Sequence, residues 1–220
     1  MGETALLSGA SEPDDQSRSA RKRRAIIQAA VAVFLQKGYK GASVDEIAGL
    51  AGVSKQTMYR YFQDKEALFS EIVLGTIDQI GEPFYEAIVS LREPEDLEGD
   101  LRELARRLVA IVMQPRLLQL RRLVIGEAAR FPELGRAYYE RGPGRTIAAL
   151  ASSFERLSER GLLRVDDASV AASGFLWMAV SVPLNEATLR GEDDRFNQSE
   201  LDSFADEGVR VFMAAYGPAA

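Results

Sequence analysis

The chain contains no cysteine and no histidine. The first absence removes disulfide frameworks and thiolate chemistry, and it suits a reducing cytosol. The second removes the commonest general base and the commonest transition-metal ligand. No metal site and no cofactor are expected. Nothing stands in for the missing catalytic groups: carboxylates are abundant but scattered. No Gly-rich phosphate loop, Gly-x-Ser-x-Gly elbow or metal-ligand spacing is found. A run of about 18 apolar residues is also missing, so no transmembrane helix is expected. At the N-terminus, Ala5-Leu6-Leu7 is too short for a signal core, and acidic residues follow it. The expectation is a cytoplasmic protein that is not an enzyme.

What is present suffices for a buried core. The chain has 220 residues, 46% of them hydrophobic and 27% charged. The net charge of −6 argues against a uniformly basic surface, but the charge is unevenly placed. Residues 18–65 hold ten basic side chains, among them Arg18, Arg21, Lys22, Arg23, Arg24, Lys37 and Lys40. They face only Asp45, Glu46 and Asp64. That stretch carries +7 and the remainder −13. Binding to phosphates needs local positive potential, not a basic whole protein.

Hydrophobic spacing reads as helix almost throughout, and no strand pattern or long repeat is visible. Residues 1–17 are rich in Ser, Glu, Asp, Gly and Pro and read as a disordered tail. A first helix carries Ile26, Ala30, Val33 and Phe34 on one face and closes at Lys37-Gly38. Ser43-Val44-Asp45-Glu46 has the form of a capping box opening a short second helix. Gly52 ends that helix, and Ser54 caps a third that runs to about Phe62. Asp64 caps a long fourth helix reaching about Val89. Further helices are expected over 97–113, from Pro115 to about Arg130, and from Pro132 to Arg160 with an interruption near Gly142-Pro143-Gly144. Two more cover 167–189 and about 199–216.

The informative pair is the second and third helices. Two short helices joined by Ala51-Gly52-Val53 form a helix-turn-helix, in which glycine reverses the chain without a Cβ clash. The third helix offers Lys55, Gln56, Thr57, Tyr59, Arg60 and Tyr61 on its outer side, with Met58 and Phe62 turned inward. These donors, acceptors and phenols suit phosphates and base edges. Three runs, Ser43-Val44-Asp45-Glu46-Ile47-Ala48, Ala51 through Phe62, and Asp64-Lys65-Glu66-Ala67-Leu68, resemble the DNA-binding signature of the TetR family. The match covers residues 21–72. The stretch Leu120 to Glu127, with Phe131-Pro132-Glu133-Leu134 and Tyr138-Tyr139, resembles the AefR-like C-terminal domain of some members.

The resemblance implies roles. Ser43, Ser54 and Lys55 would hold phosphates, and Tyr59 would hydrogen-bond another. Gln56, Thr57 and Arg60 would approach base edges. Tyr61 stands where many relatives have histidine, and Lys65 would reach the DNA backbone. The cluster Arg21-Lys22-Arg23-Arg24 reads either as a solvated helix start or as a basic arm. Also implied are a homodimer on a palindromic double-stranded operator, a ligand cavity in the C-terminal domain, and release of DNA by a small-molecule inducer.

The resulting fold class is all-α. Residues 18–66 form a DNA-binding domain and 67–220 a larger helical domain for ligand binding and dimerisation. Candidate ligand contacts are Met113, Phe131, Tyr138, Phe154, Trp177 and Met178, with Tyr139 and Phe175 beside them. Each such residue is more often plain core than a ligand contact. Arg121, Arg122 and Glu127 are candidates to orient a polar ligand. Residues 170–184 lack any charge, so that helix must bury more than one side. One face can pack on its own domain and another on a partner, with the last helix completing a four-helix interface. The rival reading is a small-molecule carrier or enzyme on the same scaffold with a vestigial DNA-binding module.

Overall fold

The computed structural model describes residues 13–91 and 94–218, and every element assigned among them is helical. Ten α-helices follow one another: α1 (Pro13–Gly41), α2 (Val44–Leu50), α3 (Lys55–Tyr61), α4 (Lys65–Ser90), α5 (Leu97–Val112), α6 (Pro115–Glu127), α7 (Pro132–Tyr139), α8 (Arg145–Glu159), α9 (Ala168–Arg190) and α10 (Gln198–Tyr216). The chain divides into two compact units, and the division falls after Ile72, inside α4. Of the stretch read as a tail, residues 1–12 lie outside the described residues. α1 already begins at Pro13, inside that stretch.

The N-terminal unit closes over the face expected of α1. Ile26, Ala30, Val33 and Phe34 are buried together with Ile47, Met58, Phe62, Leu68 and Phe69. The rings of Phe34, Tyr39 and Phe69 meet at centroid distances of 5.0–6.0 Å. Gly38, at φ 69°, breaks the regular helix near the end of α1. The carbonyls released there take up Lys65: its Nζ donates to the Tyr39 and Ala42 oxygens, each at 2.9 Å, and lies 4.4 Å from the centre of the Tyr39 ring. A cation at a helix C-terminus meets both the free carbonyls and the negative end of the dipole.

The C-terminal unit is built on three phenylalanines. Phe154 of α8, Phe175 of α9 and Phe212 of α10 are buried, with ring centroids 5.0–5.7 Å apart. α10 packs on both α9 and α5, and α8 packs on α9. Gly208 permits the close approach of α10 to α9, since a Cβ there would stand 3.0 Å from the Ala179 backbone nitrogen. The interruption expected near residue 142 is a single π-helical turn, Glu140–Gly144, around Pro143. Proline cannot donate into a regular ladder, and Thr146 Oγ1 donates to the Gly142 carbonyl at 3.2 Å. α9 is long and apolar enough to cross a membrane by length and composition alone. Its buried residues, from Ala171 to Ala187, belong instead to the core of this unit.

Candidate functional site

The turn between α2 and α3 is set by backbone hydrogen bonds. Val53 N donates to Ala48 O at 3.0 Å and Gly52 N to Gly49 O at 3.2 Å, with Gly52 at φ 66°. This paired closure is a Schellman motif, which needs a left-handed residue where Gly52 stands. The cap at each helix start is a serine. Ser43 Oγ accepts from Glu46 N at 3.1 Å, and Ser54 Oγ from Thr57 N at 3.0 Å. The reciprocal half expected of the Ser43 box is replaced: the Glu46 carboxylate takes Lys37 Nζ at 2.6 Å. Asp64 caps α4 through Ala67 N at 2.7 Å, as its position in the sequence implied.

With its ends held, α3 turns Met58 wholly inward and leaves a polar outer side. Gln56, Tyr59 and Arg60 are exposed, as are Lys55 and both capping serines. Thr57 is half-buried, and its Oγ1 lies 2.8 Å from Ser54 Oγ. Lys55 pairs with Asp45 of α2 at 3.0 Å. That hydrogen bond, with the Asp45 charge, raises the Lys55 ammonium above its ordinary value and keeps it charged. Tyr61 lies 3.0 Å from Ser19 Oγ, and this hydrogen bond, more than the nearby Arg60 charge, draws its phenol downward. Ser43, Ser54, Lys55, Gln56, Thr57, Tyr59, Arg60 and Tyr61 are thus gathered on α3 and the helix starts beside it. Lys65 stands apart. Its half-buried ammonium is tied to carbonyls at the end of α1. The sequence carried no sign of this, because the accepting carbonyls lie 23 and 26 residues away. In the basic cluster, Arg23 pairs with Glu71 and lies 5.5 Å from the centre of the Phe62 ring, while Lys22 and Arg24 are exposed.

The C-terminal unit holds a cavity of about 100 Å³, walled by α4 through α9 and the π-turn. Tyr138 and Trp177 stand in its wall. The other four candidates do not. Phe154 is taken up by the ring cluster of the core. Met113 is buried just after α5, and Met178 packs against the core one position round α9 from Trp177. Phe131 precedes α7, with the Arg130 guanidinium 5.0 Å from its ring centre. Helical periodicity marks all of these as inward-facing and cannot tell a filled interior from a gap.

Of the three residues named as candidates to orient a polar ligand, Arg121 lines the wall and Arg122 and Glu127 do not; the α4 residues there carried no distinguishing sequence signal. α4 supplies Ile77, Ile80, Gly81, Phe84 and Tyr85, and α6 supplies Arg121. Tyr85 donates to the Arg141 carbonyl at 3.0 Å, and burial pushes its phenol above the ordinary value of 10.0. Tyr138 is raised likewise by burial, against the opposing charge and hydrogen bonding of Arg121. Both phenols therefore stay neutral donors near pH 7.

Comparison with known proteins bears on both units. Residues 26–72 match the model of bacterial regulatory proteins of the TetR family. Residues 99–218 match that of the C-terminal domain of AefR-like transcriptional repressors. Among solved structures, the chain is similar to one from Mesorhizobium loti MAFF303099 assigned to the TetR family of transcriptional regulators. The identity is 48%, over 91% of this chain and 98% of the other, with a TM-score of 0.84. It is similar also to the flavonoid-responsive regulator FrrA, at 30% identity over 91% of this chain and all of that one, with a TM-score of 0.73. The HTH-type transcriptional regulator RutR of Escherichia coli K12 is 42% identical over 57 residues, 26% of this chain and 27% of its own length. The curated relatives are thus matched over less than half of their length.

Proposed function

Because this chain belongs to the TetR family of bacterial transcriptional regulators, we propose that it represses transcription as a homodimer on a palindromic operator and leaves the DNA when a small molecule enters its cavity. The observation that carries this reading is the outer face of α3. Gln56, Tyr59 and Arg60 stand exposed on a helix whose start is capped by Ser54 and whose approach is set by Gly52. Such a helix can enter a major groove, where side-chain amides and guanidinium groups read base edges. Lys55, Tyr59 and the serines at the two helix starts contact phosphates, which contribute affinity but no sequence information. The protein acts in the cytoplasm, where its operator lies.

The dimer forms through α9 and α10. α9 leaves Val170, Val182 and Leu189 at 59%, 48% and 84% exposure, and α10 leaves Val211 at 38%. A second copy of the same surface covers these apolar side chains in an isologous contact. Two α3 helices related by the two-fold axis then read two half-sites, which is why the operator is palindromic. α4 is the element that couples ligand to DNA. It runs without interruption from Lys65 to Ser90, and five of its residues line the cavity. A ligand that favours a different setting of α4 shifts the spacing of the two recognition helices. Ordinary allosteric coupling of about 1–3 kcal/mol suffices to lower operator affinity usefully.

The test is an electrophoretic mobility shift with the DNA upstream of the protein's own gene. A complex that survives unrelated competitor DNA and is lost in Arg60→Ala supports the proposal. Binding no tighter than to unrelated DNA at every salt concentration, on this and neighbouring promoters, sinks it.

A further inference from the structure

The cavity is apolar on nearly every side, yet a guanidinium is built into its wall. Arg121 of α6 is its one charged lining residue, and no acidic side chain lines it. The Arg121 Nε atom is buried and has no hydrogen-bond partner. The other polar groups are already engaged. Tyr85 donates to the Arg141 carbonyl and Thr146 Oγ1 to the Gly142 carbonyl. The Tyr138 hydroxyl, also in the wall, accepts from the Arg121 guanidinium, which leaves its own O–H proton to donate. Around them stand Phe84, Leu108, Leu176, Trp177 and Val180.

On the reading that this cavity receives the regulatory ligand, we propose that the ligand is a small monocarboxylic acid with a compact apolar body. Its carboxylate pairs side-on with the Nε edge of Arg121, and the Tyr138 hydroxyl donates to the same group. Each part of this description follows from the wall. A buried donor without a partner is costly, and an acceptor that reaches it removes the cost. The fork of a guanidinium fits a carboxylate through two parallel N–H donors, and the Nε edge is one of the two ways it does so. A half-buried guanidinium with its Nε edge turned in among apolar side chains calls for one negative charge, because charges interact more strongly where water is scarce. A cationic ligand would face Arg121 with no acid to hold it. A sugar or phosphate ester would bring more polar groups than the wall can satisfy. The size is bounded too: an engineered apolar cavity of about 150 Å³ holds benzene, so about 100 Å³ limits the body to no more than one ring or a short chain.

The test uses the full-length protein and three acids, benzoate, phenylacetate and hexanoate, each beside its primary amide. Binding is followed by Trp177 emission, since this single tryptophan lines the cavity, and by the shift in melting temperature. At least one acid binds tighter than its amide by about tenfold or more, as expected for a buried charge pair. Arg121→Gln lowers the affinity for that acid by about tenfold or more and leaves the amide nearly unchanged. Arg121→Lys keeps the charge but loses the fork, so it recovers part of the affinity, and it serves as the control if Arg121→Gln packs poorly. The proposal is overturned if none of the three acids binds, if acid and amide bind alike, or if both Arg121 variants bind the acid as the parent does. Operator binding, measured separately, distinguishes this result from the regulator reading. Protein that shifts its operator but takes none of the acids refutes the ligand chemistry alone. Protein that takes an acid through Arg121 but shifts no operator refutes the repressor reading and supports the ligand chemistry.

Discussion

In the N-terminal unit the cations other than Lys65 stand at the surface, with Lys55 paired to an exposed Asp45 and Arg60 open to solvent. In the C-terminal unit one guanidinium, that of Arg121, is turned into an apolar cavity. The first arrangement suits a polyanion, which is gripped by many weak contacts spread over a surface and released by salt. The second suits a single small anion, for which one desolvated contact decides affinity. The units also differ in how they are held. Caps and a turn within a few residues of one another shape the helix-turn-helix, whereas the cavity is bounded by six helices far apart in sequence. Local and non-local construction should fail differently under mutation.

The largest effect is expected in the C-terminal unit. Gly208→Val puts a branched side chain where even a Cβ stands 3.0 Å from backbone atoms of Ala179. Backbone cannot yield as a side-chain tip does, so destabilisation of at least about 1–3 kcal/mol is expected from overpacking. Thermal unfolding and the monomer–dimer equilibrium should both worsen. A variant that melts with the parent would show that α9 and α10 separate at little cost.

Gly52→Val acts on the local side of the comparison. An added Cβ meets no atom within 4 Å beyond the neighbouring residues, so the main cost is backbone strain at φ +66°. That strain is about 1–2 kcal/mol for an ordinary L-residue. The expected signature is lower stability with operator affinity reduced in the same measure. Equal melting curves for variant and parent would mean that the turn adopts another closure.

Two lysines sharpen the comparison inside one unit. Lys65→Ala removes the donor to Tyr39 and Ala42 and should cost about 1–3 kcal/mol of stability, because partly buried carbonyls lose their partner. Lys55→Ala should leave the melting temperature alone and instead reduce the salt slope of operator binding by about one unit, evenly across DNA sequences. If Lys65→Ala changes the salt slope while its stability is untouched, the internal role assigned to Lys65 is wrong.

The smallest effect separates the units by pH. Burial raises the Tyr138 and Tyr85 phenols above the ordinary 10.0 in the folded chain. Below that value both folded and unfolded phenols are protonated and nothing changes. Above it the unfolded chain gives up protons that the folded chain keeps, so stability falls as pH rises from 10.0 toward the folded values. Denaturant titrations of Tyr138→Phe should show a shallower alkaline loss than the parent. Identical slopes would refute the burial of this phenol.

Much of this protein was settled by the sequence alone, and the reason is physical. Helix periodicity, the serine caps at 43 and 54, Asp64 and the glycines at 38, 52 and 161 act over a few residues. They place the helix-turn-helix and the outer face of α3 without reference to anything distant. Those same signals say which side chains turn inward, but not what they meet. Only tertiary packing committed Lys65 to carbonyls of α1, gave the Glu46 carboxylate to Lys37, and sent Phe154 into a ring cluster while Trp177 and Arg121 were left facing a gap. A cavity exists where apolar faces from separate helices fail to fill the space between them, and that volume is a property of their mutual placement that no single stretch of chain encodes.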